Sequence, residues 1–350
     1  MVKRVAIVGA GAVGAYTCGH MARNGIDVTF IDPWPDHVEA MRAKGLELRG
    51  VTEQEHFFVP VTAMHVTEVQ SLSKQDPIDI AIISAKSYDT EWAAGLIKQY
   101  LSPEGFVVSL QNCVNEERLA GVVGWGRTVG CIASTISVEL EEPGVVQRNV
   151  PLRGEKYTVF RCGEVHGRIT RRVEELVDML RYADSAKATE NLWGERWSKL
   201  VINSSHNGLS ACTGYSGNEM CTVEAARRLS IRLAAETIRV GRAHGFLLET
   251  IKGHDADQWV AAADGDNAAL DNLESSLIAS VKERRDDQRP SMGQDIAKGR
   301  RTEIDFLNGL VVEKGREAGI PTPANKGIVD AVRRVESGRA AQGPEMIDGL

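Results

Sequence analysis

The first half of the chain alternates short apolar runs with helical stretches. Val5 to Val8 is an uninterrupted apolar run of the kind carried by a strand buried on both faces. A helix is predicted after it, followed by a second apolar run at Val28 to Ile31 that ends on Asp32. The pattern then predicts a helix at about Asp36 to Lys44, short strand-like runs at Leu46 to Leu48 and His56 to Val61, a strand at Ile78 to Ser84 and a helix from Ser87 to Tyr100. Gly105 to Leu110 and Thr128 to Ser137 read as further strands, with Val145 to Gln147 and Tyr157 to Cys162 as later strands of the same sheet. Such a βαβ series predicts an α/β domain with a parallel, doubly wound sheet whose ligand lies at the carboxyl ends of the strands. From Glu190 on, helical periodicity replaces strand-like alternation. A boundary is expected near residues 184 to 192, dividing an α/β domain over 1–188 from an all-α domain over 189–340, with a loose tail over 341–350.

The turn after the first run reads Gly9-Ala10-Gly11-Ala12-Val13-Gly14, between a strand and a helix. In a dinucleotide-binding turn the first glycine permits the tight bend, the second lets backbone amides approach a pyrophosphate, and the third lets the helix pack flush on the sheet. Asp32 lies eighteen positions after Gly14, at the tip of the second strand, where a carboxylate accepts from a ribose diol and repels a 2′-phosphate. No arginine or lysine follows until Arg42, so NAD is favoured, with NADP as the alternative. Asp32 also fits a second reading, a solvent-facing cap on the next turn. The N-terminal domain is thus expected to be of the Rossmann type.

Composition excludes several classes. The 350 residues carry a net charge of −7. Basic residues are scattered apart from short runs such as Arg171–Arg172, Arg227–Arg228, Lys282–Arg285 and Arg300–Arg301, which argues against nucleic acid as a partner. No run approaches the roughly 18 apolar residues of a membrane span, and no secretory leader is recognisable. The six cysteines show no C-x-x-C pair and no metal-like spacing with the eight histidines, so no metal site is expected and reduced thiols in the cytoplasm are the default.

The helical half carries the candidate chemistry. Lys199, Asn203 and Asn207 recur at i, i+4 and i+8, an ammonium and two carboxamides along one helix face. Leu192, Trp193, Trp197, Leu200, Val201 and Ile202 occupy the other faces, so the stripe is either partly enclosed or an ordinary solvated face. Farther on, Pro290, Ser291 and Gln294 fit a capping box opening a helix, and Glu303 lies about three turns beyond Ser291. Taken alone, Ser291 reads as an N-cap and Glu303 as an exposed helix acid.

In combination these motifs resemble the ketopantoate reductase (2-dehydropantoate 2-reductase) family over nearly the whole chain, from Gly9 to about Ala331. The resemblance rests on GAGAVG, on SAK at Ser84 to Lys86, on Gln111-Asn112, on W-x-K-L-x-x-N-x-x-x-N across Trp197 to Asn207, and on SMGQD and RRTEIDFLNG across Ser291 to Gly309. It implies that Lys199 is the general acid/base for a carbonyl reduced at C2, and that Asn203, Asn207, Ser291 and Asn112 hold a 2-oxo or 2-hydroxy acid. It further implies that Ser84, Lys86 and Asn112 contact the cofactor, that Glu303 closes on the cofactor and steadies the site, and that the cleft between the domains holds both ligands. A homodimer is expected, from the long apolar helices of the second half.

Departures from the family pattern surround the ligands. Cys113 replaces the glycine of the usual QNG and reads as a small apolar filler; Glu139 falls where a small residue is common. An asparagine expected after the Lys-Asn-Asn helix is displaced by one, leaving Gly217 beside Asn218. Asp32 stands where the family, commonly NADPH-dependent, has a basic residue nearby. These features favour an NAD-linked 2-oxo acid reductase or 2-hydroxy acid dehydrogenase. The alternatives are a true NADPH-dependent 2-dehydropantoate 2-reductase of pantothenate synthesis and a non-catalytic nucleotide sensor. The acid's side chain is left open, because its pocket draws on the variable stretch Ile251 to Arg289.

Overall fold

The computed structural model describes residues 3–154, 157–283 and 288–350. Arg284 and Arg285 of the basic run, and part of the stretch Ile251 to Arg289, lie outside the described residues. The chain divides into two compact units, Met1–Leu192 and Trp193–Leu350.

Among the described residues the first unit has twelve strands: β1 (Arg4–Val8), β2 (Asp27–Asp32), β3 (Leu46–Arg49), β4 (Phe57–Val59), β5 (Thr62–His65), β6 (Ile78–Ile83), β7 (Leu101–Ser109), β8 (Thr128–Ala133), β9 (Val138–Glu142), β10 (Val145–Arg148), β11 (Phe160–Glu164) and β12 (Ala186–Ala188). Its α-helices are α1 (Ala12–Arg23), α2 (Pro35–Lys44), α3 (Thr90–Lys98), α4 (Glu116–Val123) and α5 (Arg171–Leu180). Eight strands form the main sheet in the order β12-β11-β8-β7-β6-β1-β2-β5. The six strands from β5 to β8 are all parallel and follow the order of a dinucleotide-binding sheet. In β1, Val5 and Ile7 point into the core that includes Cys18 and Met21 of α1, while Ala6 and Val8 point into the opposite core with Ala93 and Ile97 of α3. Helices on both faces therefore require the continuous apolar runs seen in sequence.

Four strand expectations change. The main sheet is mixed, because β11 runs antiparallel to β8. The run Val145 to Gln147 does not join it; β10 pairs parallel with β3 and antiparallel with β9 in a separate sheet of order β4-β3-β10-β9. Its strands are short and half-buried: Leu46 and Leu48 turn inward against Gly19 of α1, and Glu47, Arg49 and Glu141 pair on the other face. The run His56 to Val61 shortens to β4, which ends before Pro60 in the small sheet, and the edge strand β5 of the main sheet begins only after the run. The predicted strand Thr128 to Ser137 ends at Ala133, and Thr135 has φ +53°.

The second unit is helical: α6 (Leu192–Thr213, starting on the last residue of the first unit), α7 (Glu219–Thr222), α8 (Glu224–Ala243), α9 (Ala256–Ala263), α10 (Asn267–Ala279), α11 (Ser291–Ala297), α12 (Asn308–Ala318) and α13 (Pro323–Glu336). Glu236 of α8 is buried and accepts from the Ala324 and Asn325 amides at 2.9 Å, capping α13. The expected loose tail is instead docked. Gln342 Nε2 and the Gly343 amide donate to the Ala211 and Cys212 carbonyls at the end of α6, at 2.8 and 3.0 Å, and Met346 and Ile347 are buried. The tail satisfies carbonyls that the helix end leaves without intrahelical partners.

Candidate active site

In the first unit, Gly9, Asp32, Ser84 to Lys86 and Asn112 follow the carboxyl ends of four adjacent parallel strands, β1, β2, β6 and β7. The connections from β1 and β6 leave in opposite directions, which opens a crevice at that point of the sheet. There the two loops touch. Gly9 has φ +90°, and a Cβ on it would lie 2.7 Å from the Ala85 amide nitrogen. A Cβ on Gly14 would meet Ile7 Cδ1 at 2.6 Å and the Gly9 carbonyl at 2.8 Å, so helix and sheet make contact through a bare backbone. Gly11 is different: nothing lies within 4 Å of a Cβ there. It caps α1, whose first turn, Ala12 to Gly14, carries no acid, so outward N–H groups and the positive dipole end border open space. That cradle fits a pyrophosphate.

Asp32 is buried, and its Oδ1 accepts from the Trp34 amide at 2.9 Å. It does cap the next turn, but it does not face solvent. Burial pushes its carboxyl above its ordinary value, partly offset by the Trp34 amide. A carboxylate offers about four acceptor positions, so this bond leaves capacity for a diol.

The SAK and QN loops are cross-braced. Gln111 Nε2 donates to the Ala85 carbonyl and the Thr90 hydroxyl, both at 2.9 Å. Buried Asn115 donates to Ser87 Oγ at 3.0 Å and to the Asn112 carbonyl at 2.8 Å. Asn115 and Ser87 lay outside the sequence reading, since a lone Asn or Ser in a loop carries no signal for partners 28 residues apart. Lys86 is half-buried at the start of the following turn. Cys113 is buried with φ +65°, a conformation that favours glycine. Glu139 lies on β9 opposite Gln147 in the small sheet.

In the second unit, Lys199, Asn203 and Asn207 share one face of α6; Lys199 and Asn203 are partly buried and Asn207 is buried. The stripe is therefore enclosed rather than solvated. Asn203 Nδ2 is buried with no acceptor among the described residues. Trp197 anchors the same helix from another side, stacking on Phe246 at 5.3 Å and on His244 at 6.3 Å. The two later motifs pack on α6. A Cβ on Gly208 would meet Ile304 Cδ1 at 3.2 Å and Asn308 Oδ1 at 3.0 Å, and Asn308 Nδ2 donates to the Ser204 carbonyl at 2.8 Å. Glu303, which precedes Ile304, is buried rather than exposed. A Cβ on Gly293 of α11 would lie 2.5 Å from Ser210 Oγ, so the helix carrying Ser291 also lies on α6.

The capping box does not form. Pro290 is the N-cap, Ser291 is the first helical residue with no capping bond, and Gln294 Nε2 turns back to the Arg289 carbonyl at 3.0 Å. Proline's extended backbone ends the preceding loop one residue earlier, which leaves the Ser291 hydroxyl exposed. Asn218 is buried at the N-cap of α7. One feature had no sequence signal. Lys252, with φ +50°, brings Nζ within 2.9 Å of His206 Nε2, beside Asn207.

Family models for "Ketopantoate reductase PanE/ApbA" and its C-terminal domain match residues 5–160 and 191–336. The chain belongs to the ketopantoate reductase family. A 2-dehydropantoate 2-reductase of Archaeoglobus fulgidus is 30% identical over 339 residues, covering 96% of this chain and 99% of that relative. Among solved structures, a PanE/ApbA family ketopantoate reductase from Ralstonia eutropha is similar with a TM-score of 0.77 at 29% identity, over 96% of this chain and 99% of that one. D-mandelate dehydrogenase with NADH and anilino(oxo)acetate shares the fold with a TM-score of 0.77 at 20% identity, over 96% and 98%. The family comprises NAD(P)-dependent oxidoreductases acting on 2-oxo acids, and this chain is an enzyme of that class. Among the described residues no helix is long and apolar enough to cross a membrane.

Proposed function

We propose that this ketopantoate reductase family member interconverts a 2-oxo acid and its 2-hydroxy acid with NAD as the preferred cofactor. Residues 1–188 would form the nucleotide-binding domain and residues 189–340 the substrate and dimerisation domain. The buried Asn203 donor, one helical turn from Lys199, carries the substrate assignment. A buried N–H without an acceptor costs about 1–3 kcal/mol, a cost that a substrate oxygen would remove.

In this reading Gly9 to Gly14 hold the pyrophosphate, Asp32 the adenosine ribose, and Ser84, Lys86 and Asn112 the nicotinamide half. The nicotinamide supplies or accepts hydride at substrate C2. Lys199 Nζ gives its proton to the carbonyl oxygen during reduction and takes it back during oxidation. Asn203, Asn207, Asn112 and Ser291 orient the hydroxyl and carboxylate, and Glu303 steadies the cofactor beside them. Two observations support NAD: Asp32 at the β2 tip, and the absence of any Lys or Arg between it and Arg42. Six reduced, buried cysteines support a reducing compartment, the cytoplasm.

The names of the curated relatives, 2-dehydropantoate 2-reductase, support a second reading, reduction of 2-dehydropantoate, with NADPH as the cofactor of that alternative. A panel of 2-oxo and 2-hydroxy acids assayed with both cofactors separates the two. The expected result is higher kcat/KM with NADH than with NADPH. A strong preference for NADPH and 2-dehydropantoate would replace the first reading with the second.

A further inference from the structure

His37 belongs to none of the motifs identified in this sequence, yet it is completely buried and both ring nitrogens are engaged. Nε2 lies 2.9 Å from the carbonyl oxygen of Ala10, and Nδ1 accepts from the Gly144 amide at 2.9 Å. A backbone N–H can only donate, so Nδ1 is the acceptor and Nε2 carries the proton that goes to Ala10. The Trp34 ring lies nearly parallel to the imidazole, centroids 5.9 Å apart and planes 25° apart. Gly144 is the tip between β9 and β10, so the small sheet anchors one side of the ring.

The Ala10 carbonyl belongs to the same peptide plane as the Gly11 amide, and in a trans peptide the two point in opposite directions. Fixing that carbonyl on His37 turns the Gly11 N–H the other way. Ala10 is flanked by two glycines, whose backbones adopt more conformations than those of other residues.

We infer that His37 is a positioning residue for the nucleotide site: as a single-tautomer strut between Gly144 and Ala10, it fixes the Gly11 amide in its anion-binding direction. The inference rests on the nucleotide site proposed above. Two substitutions separate the bonds. His37→Gln keeps a donor at the Nε2 position and loses the acceptor for Gly144; His37→Asn keeps the acceptor and loses the donor to Ala10.

Calorimetric titration with NADH, without substrate, is the test. His37→Asn is expected to bind about tenfold more weakly, the equivalent of one hydrogen bond, and His37→Gln within about threefold of the unaltered protein, at comparable melting temperatures. Equal weakening in both variants, or none in either, overturns the inference. Nitrogen NMR of the unaltered protein adds a readout independent of variant folding: the His37 ring is expected protonated at Nε2 alone, and a proton on Nδ1 contradicts the strut. Failure of the unaltered protein to bind NADH or NADPH overturns the nucleotide reading itself, separately from the comparison of variants.

Discussion

The two units treat their polar groups in opposite ways. In the first, the side chains around the strand ends are committed to one another: Gln111 to Ala85 and Thr90, Asn115 to Ser87 and Asn112, His37 to Ala10 and Gly144. What remains open is mostly backbone, at Gly11 and the start of α1, together with spare acceptor positions on Asp32 and on Asn115 Oδ1. In the second, α6 encloses a side-chain stripe in which the Asn203 donor lacks an acceptor. In the proposed function, the pyrophosphate would be met by a braced backbone cradle, and the substrate by side chains whose hydrogen bonds are left to be completed.

The comparison breaks first at Gly9. Gly9→Ala places a Cβ 2.7 Å from a backbone nitrogen at φ +90°, and we expect at least about 2 kcal/mol of destabilisation with more than tenfold weaker NADH binding. Denaturation and NADH titration check both, and a neutral outcome would remove the need for bare backbone in the cradle.

Asp32→Ser comes next. It should lower kcat/KM with NADH by about tenfold and raise it with NADPH, since charge repulsion against a 2′-phosphate disappears. The same carboxylate has a stability signature. Its pKa is raised in the folded state, so between the ordinary carboxylate range and that raised value the folded protein binds more protons than the unfolded chain. Its contribution to stability therefore falls as pH rises through that window and is constant above it. Asp32→Asn should flatten the unliganded melting curve there, and an unchanged curve would contradict the assigned burial.

Asn203→Leu sharpens the contrast from the other side. Replacing an unpaired donor with an apolar group of similar size should leave stability unchanged or raise it by about 1 kcal/mol, while KM for the 2-oxo acid rises about tenfold. Loss of stability would mean that the amide is structural. Cys113→Gly has the smallest effect, about 1 kcal/mol of stabilisation from relief of a left-handed backbone, read as a higher melting temperature.

Much of this was legible in the sequence where one residue type answers one physical demand. Gly9 and Gly14 are glycines because the positive φ and the flush packing tolerate no Cβ, while Gly11 borders open space; β1, β2 and β6 read as apolar runs because both faces are buried. The small sheet was misassigned because β3, β4, β9 and β10 have three to five residues each and alternate like any half-buried strand. The docked tail and the His37 strut were invisible for another reason. Their partners are backbone groups far away in sequence, 107 residues in the case of Gly144, and a backbone group leaves no trace in residue identity. The capping box at Ser291 failed because Pro290 took the N-cap position itself. Among site residues, the Lys199 stripe was readable as spacing, but the packing of its helix was not, because Ile304 and Asn308 reach Gly208 and Ser204 of α6 from about 100 residues downstream.

The central claim is a division of labour: the first unit binds the nucleotide and the second performs the proton transfer. Lys199→Ala tests it most directly, with NADH affinity and turnover of the best 2-oxo acid measured on the same sample. The account predicts turnover reduced by about a hundredfold or more with NADH affinity unchanged. Turnover that survives, or NADH affinity that falls together with turnover, would contradict it.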